Sequence, residues 1–249
     1  RLNEVPNLDQ ARFLRSVTYL ISYRDQEAGI QLGYQAVAMA RAVGDKTQLS
    51  MALAKLTAVL ISRPEIEPLA QEAVNLCQEL DDQPGLAWMF NVIGEHARIS
   101  GDDERSKQAY EEALAIAEQR GDTRLQYTVL YNLAFVAQHE GNHQQAIRLL
   151  RRSITICREM GIPTTAVAVL ILAGSLGAAG EPERAARLFG AAQAFLQRTG
   201  SLVHPDDHPE HEHNMALARA QLDDDTWKTL LAEGHRITLE EAIEEILKE

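Results

Sequence analysis

The stretch YNLAFVAQHEGNHQQAIRLLRRSITI, residues 131–156, decides the fold. Its apolar residues recur every three or four positions, the spacing of one helix face, and not at alternate positions as a strand requires. Gly141 tolerates the left-handed conformation that ends a helix, and Asn142 suits the cap of the next. The segment therefore reads as helix, turn, helix. The same punctuation recurs at Gly101, Gly121, Gly141, Gly161, Gly180 and Gly200, in steps of 20, 20, 20, 19 and 20. Two helices make one unit, which sets a period near 40. Matching small residues in the second helices, Ala36, Ala73, Ala113, Ser153 and Ala192, are 37, 40, 40 and 39 apart. The short step falls in the second unit, where the turn Ser62-Arg63-Pro64 is expected to be shorter than a Gly-Asp turn. The first helices align too: LAKLTAVL (53–60) sits over LYNLAFVA (130–137). Thr57, Gly94, Ala134 and Ala173 place small side chains where helices are expected to cross.

Residues 131–156 resemble a tetratricopeptide repeat: a Leu133–Ala134 pair, a Gly-Asn turn, then Ala146 and Leu150. The third unit has Ile93-Gly94, Gly101-Asp102, Tyr110, Ala113 and Leu114, and the fifth has Leu172-Ala173, Gly180, Ala185 and Phe189. Units one and two match less well. The usual unit is about 34 residues, so these helices are longer, similar to the sensor repeats of maltose-regulator-type bacterial proteins. The expected fold is all-α: a right-handed superhelical solenoid of five two-helix repeats with a C-terminal helical cap. The repeats span residues 1–45, 46–82, 83–122, 123–162 and 163–200, and the loop plus cap spans 201–249.

Beyond Gly200 the period stops. SLVHPDDHPEHE (201–212) is a polar, Pro-broken loop, followed by helical stretches near 210–221, 224–233 and 238–248. Asp224 is expected to cap the second of these, and Thr238 with Glu241 is expected to form a capping box for the third. Trp227, Leu230 and Leu231, then Leu239, Ala242, Ile243, Ile246 and Leu247, give apolar faces suited to covering the last repeat. ERAARLFGAAQAFLQRTG (183–200) followed by TWKTLLAEGHRITLEEAIEEIL (226–247) resembles the C-terminal end of large bacterial ATPase-type regulators. That resemblance implies a sensor or interaction part, with N-terminal ATPase and output domains on a longer parent chain. The chain opens at Arg1 without an initiator Met or signal peptide, which fits a piece of something longer.

The 249 residues are 45% hydrophobic and 5% aromatic, which excludes general disorder. A formal net charge of −12 argues against direct nucleic-acid binding and against an anionic membrane partner. Of the acids, 13 lie beyond Val203 against four bases, so the repeats themselves are nearly neutral. No apolar run reaches the roughly 18–20 residues of a membrane span, and Ala166–Ala179 reads as a buried helix. Cys77 and Cys157 each lie four residues after a repeat marker, Ala73 and Ser153, two repeats apart. That register sets them roughly 20 Å apart on helix layers about 8–10 Å thick, beyond the ~7 Å a disulfide allows. Two free, buried thiols and a cytoplasmic setting are expected.

No phosphate-binding GxxxxGK[ST], GxSxG, HExxH or CxxC is present, so neither a catalytic residue nor a cofactor is expected, and the chain reads as a binding module rather than an enzyme. The binding surface is expected on the first helices, which would line a concave groove: Trp88, Asn91, Glu95 and Arg98 in unit three, and Thr128, Tyr131, Phe135, Gln138 and His139 in unit four. Leu170 and Gly174 continue it in unit five. Aromatic and polar side chains together suit a protein or peptide, or a small ligand. The alternative reading is that Trp88 and Phe135 merely pack between repeats. His204, His208, His211 and Glu212 form a tract whose residue types suit zinc or nickel, the bland alternative being a solvated loop. A metal-dependent enzyme built on that tract is the remote reading. Arg148, Arg151, Arg152, Arg158, Arg184 and Arg187 make a basic strip read as surface ion pairs. A stand-alone scaffold or a homodimer is the nearer alternative, since Leu14, Val17 and Ile21 of the first helix are expected to be exposed.

Overall fold

A computed structural model describes residues 7–22, 24–161, 166–200, 203 and 207–247. Among the described residues every regular element is helical, and thirteen helices follow in chain order. They divide into two compact units, Arg1–Asp122 and Thr123–Glu249.

The first unit holds three helical hairpins: α1 (Leu8–Ser22) with α2 (Gln26–Val43), α3 (Lys46–Val59) with α4 (Ile66–Glu79), and α5 (Gln83–Ile99) with α6 (Asp103–Arg120). An acid opens four of these helices. Asp25, Asp45, Asp82 and Asp102 accept the backbone N–H of Ala28, Gln48, Gly85 and Arg105, groups that would otherwise lack a partner at a helix start. Gly121 shows why the sequence needs glycine between helices: at φ 68° its N–H reaches Glu118, while Asp122 N–H reaches Ala117. The core is built on Leu53, Leu56, Leu60, Ile66, Ala73 and Met89. Gly94 lies against the Tyr110 ring so closely that a Cβ there would stand 2.6 Å from it. The small residue is what admits the ring.

The short second repeat has a different cause from the expected shortened turn. The link from α3 to α4 runs over residues 60–65, longer than the 100–102 link from α5 to α6. The helices are what shrink: α3 and α4 have 14 residues each, against 17 and 18 for α5 and α6. Leu60 and Ile61 are buried in this link, so the chain turns inward across the core, and Pro64 cannot continue a helix.

The second unit has hairpins α7 (Thr123–His139) with α8 (His143–Glu159) and α9 (Ala166–Ala178) with α10 (Pro182–Thr199), then α11 (His208–Arg219), α12 (Asp224–Gly234) and α13 (Leu239–Leu247). Asn142 caps α8 through the N–H of Gln145. α9 is apolar nearly all round and its residues are almost all buried, which an enclosed helix requires. α12 and α13 lie against α10, with Trp227, Leu230, Leu239, Ala242 and Ile243 in one core with Leu188 and Phe189. A Cβ at Gly190 would stand 2.2 Å from the Leu231 carbonyl, and one at Gly234 2.0 Å from that of Arg187. The α10 and α12 backbones therefore touch at two glycines. No described helix is long and apolar enough to cross a membrane.

Candidate functional site

In the first unit, the α5 stripe divides. Asn91 and Arg98 are buried, 2% and 5% exposed, while Trp88 and Glu95 stay half-buried. Trp88 borders a cavity of about 320 Å³ together with Arg15 of α1, Lys55 of α3 and Cys77 of α4. The Lys55 ammonium stands 5.7 Å from the centre of the Trp88 ring and 5.7 Å from that of Tyr19. Burial first, and the nearby Arg15 charge second, hold the Lys55 amine below its usual range. On α1 the exposed large hydrophobic side chains are Phe13, Tyr19 and Leu20, whereas Leu14, Val17 and Ile21 are half-buried.

In the second unit, α11 meets the C-terminal part of the α7 stripe, at Phe135, Gln138 and His139. Phe135 is 1% exposed, and its ring lies 5.7 Å from that of His211. His139 Nε2 stands 3.0 Å from a carboxylate oxygen of Glu210. Gln138 donates to the Ile171 carbonyl (2.9 Å) and to Ser175 Oγ (2.7 Å), and its own oxygen lies 3.4 Å from Asn214 Nδ2. The polar character of Gln138 thus serves a junction of α7, α9 and α11 rather than an open groove. Thr128 donates back to the Arg124 carbonyl, and it and Tyr131 stay half-buried. α9 lets α11 approach through Gly174 and Gly177, where a Cβ would stand 2.9 Å from Asn214 Cβ and 2.7 Å from Ala218 Cβ.

This placement joins two features read separately in the sequence. His211, from the tract considered for metal, is 6% exposed and faces the aromatic of the stripe considered for ligand. His208 turns to the Val203 carbonyl at 3.2 Å, and Glu212 is exposed. His204 lies outside the described residues. Among the described residues no three His, Cys, Asp or Glu groups are placed to hold a metal ion. In the basic strip, Arg187 pairs with Glu233 at 3.0 Å and Arg184 with Glu181. The two thiols are buried, and burial pushes both up from their usual range.

Sequence reasoning missed one polar cluster. His96 Nδ1 meets the Ile61 carbonyl at 2.6 Å, and its Nε2 stands 3.6 Å from Glu67, which Arg105 grips with both terminal nitrogens. It ties the inward-turning 60–65 link to α4, α5 and α6. No local motif signals it, because its members lie 29 and 9 residues apart in the chain.

Residues 125–198 match the family described as Tetratricopeptide repeat, and residues 6–63 and 90–130 match the family described as Anaphase-promoting complex subunit 5. No curated protein matches. Among solved structures the chain is similar to aspartyl phosphate phosphatase F from Bacillus subtilis, with a TM-score of 0.66 at 14% identity, over 90% of this chain and 61% of that one. The chain thus spans about three-fifths of that protein's length. The likeness establishes a helical-repeat fold of tetratricopeptide type. Such repeats serve protein–protein interaction in general and are typically non-catalytic, although this neighbour is named a phosphatase.

Proposed function

We propose that the chain is a non-catalytic, cytoplasmic binding module of a bacterial transcriptional or signalling regulator, which reads a protein or peptide on the face formed by α7 and α9. One observation carries the reading. The chain's own α11 is seated on α9 and reaches α7 through an aromatic contact, a His–carboxylate contact and a carboxamide junction. A helix that simply continued the repeat would rest mainly on the second helix before it, as α9 rests on α8, whereas α11 lies mainly on the first helix α9. A face that takes a helix in cis has the chemistry to take one in trans. The regulator context rests on the resemblance of 183–200 with 226–247, and Gly190 and Gly234 of those segments are the points where α10 and α12 meet backbone to backbone.

The test is Glu210→Lys in the full regulator, which sets a cation against His139. Hydrogen exchange of α11 reports its release, and the regulated output is expected to move toward the signalled state. Release of α11 with unchanged output and unchanged response overturns the reading, as does a parent protein that regulates normally with this module deleted. Phe13 and Leu20, 64% and 69% exposed on α1, favour a second reading in which the chain pairs with a copy of itself. Light scattering showing a strict monomer removes it.

A further inference from the structure

We propose that the first unit carries a site for a small organic anion with an apolar body, an aromatic monocarboxylate being the simplest form. In this site Arg15 and Lys55 hold the charge, while Trp88, Met51 and Ala54 hold the body. The site is independent of the α7–α9 face invoked above.

Two cations, Arg15 and Lys55, line one cavity, and neither has a carboxylate partner among the described residues. Arg15 Nε is buried and finds no hydrogen-bond partner among the described residues. Two like charges, partly desolvated and unpaired, disfavour each other, and an anion between them relieves that. The lining has one acid, Asp82, and it is already engaged: its Oδ1 caps α5 at the Gly85 N–H, 3.0 Å away. Its Oδ2 fills the space a Cβ on Gly85 would need, 2.3 Å off.

The remaining wall is chemically different. Met51 and Ala54 of α3 and the Trp88 face of α5 supply apolar and aromatic surface beside the two cations. Lys55 reaches this surface between two aromatic rings, which fixes its ammonium without neutralising it. Ser50 Oγ and Cys77 Sγ, 3.3 Å apart, add polar groups to the lining. About 320 Å³ is the low end of small-molecule sites, which run from roughly 300 to 1,000 Å³. The space therefore suits a compact ligand of one or two rings.

Isothermal titration of the whole chain with 1-naphthoate, 1-naphthylmethanol and inorganic phosphate tests this. Naphthoate is expected to bind one to one and to weaken as salt rises. Naphthylmethanol, which lacks the charge, and phosphate, which lacks the body, are each expected to bind at least tenfold more weakly. Arg15→Gln and Lys55→Gln are each expected to weaken naphthoate at least tenfold, with the helical circular-dichroism signal retained. The comparison of ligands needs no substitution and stands if a variant fails to fold. No naphthoate binding at millimolar concentration, equal binding of naphthylmethanol or of phosphate, or folded Arg15 and Lys55 variants with unchanged affinity would each overturn the proposal.

Discussion

Phe135 and His211 are 76 residues apart in the chain, yet their rings meet at 5.7 Å with a 43° tilt. This contact joins the His139–Glu210 and Gln138–Asn214 contacts in holding α11 to α7. Phe135→Ala empties a site that is 1% exposed and is expected to cost about 3–5 kcal/mol. His211→Ala loses the ring pair, and a double-mutant cycle is expected to return a coupling of roughly 0.5–1.5 kcal/mol. Urea unfolding of the two single variants and the double variant measures it, and additive effects would show that the rings do not interact.

Gly190 and Gly234 are expected to tolerate no side chain, because each faces a carbonyl oxygen on the opposing backbone. Gly190→Ala or Gly234→Ala must push α12 from α10, at a cost of at least ~1–3 kcal/mol. Hydrogen exchange is expected to rise in α12 and α13 first. By contrast, Gly174→Ala meets the Asn214 side chain, so Asn214→Gly is expected to restore part of its loss.

Glu67 gives a pH prediction with a definite sign. The hydrogen bond from Arg105 first, and the charges of Arg105 and His96, hold its carboxyl below the ordinary value of 4.5. A depressed carboxyl contributes stability above its unfolded value and loses it as pH falls through the folded one. Wild type is therefore expected to exceed Glu67→Gln in stability at pH 7. The gap is expected to narrow below pH 4.5. A gap that stays constant with pH would place the contribution elsewhere.

Cys77 and Cys157 are 1% and 2% exposed, and burial disfavours their thiolates. The native protein is expected to resist a thiol reagent at pH 8 and to release two equivalents in denaturant. Rapid reaction without denaturant would mean that these cores open readily.

The helical fold was legible because its signals are local. Gly141 and Asn142 end one helix and cap another by their own chemistry, and the three-to-four spacing needs no knowledge of partners. The place of α11 was not legible. HPEHEHNMALAR has no continuous apolar stripe, and it docks through His211, Asn214 and Ala218, a ring, an amide and a methyl group. Its histidines and acids suggest solvent or metal to a reader who sees only neighbours in sequence. Asn91 and Gln138 misled in the same way, since a polar side chain on an inner stripe reads as solvent-facing until its partner appears. For Gln138 the partners are Ile171 and Ser175, a full repeat away. Arg15 and Lys55 are likewise 40 residues apart, and only the packing of α1 on α3 makes them a pair.

The attachment of α11 sets a quantitative threshold for whatever binds the same face. α10 ends at Thr199 and α11 begins at His208, while α11 ends at Arg219 and α12, docked on α10, begins at Asp224, so the seated helix is held by a short piece of chain on each side. A short tether holds its cargo at an effective concentration on the order of millimolar. A free ligand of equal intrinsic affinity must reach that concentration to occupy the face half the time. The same ligand at micromolar levels needs roughly a thousandfold tighter contact, about 4 kcal/mol. Lengthening both connections is expected to lower that threshold while leaving the contacts themselves unchanged.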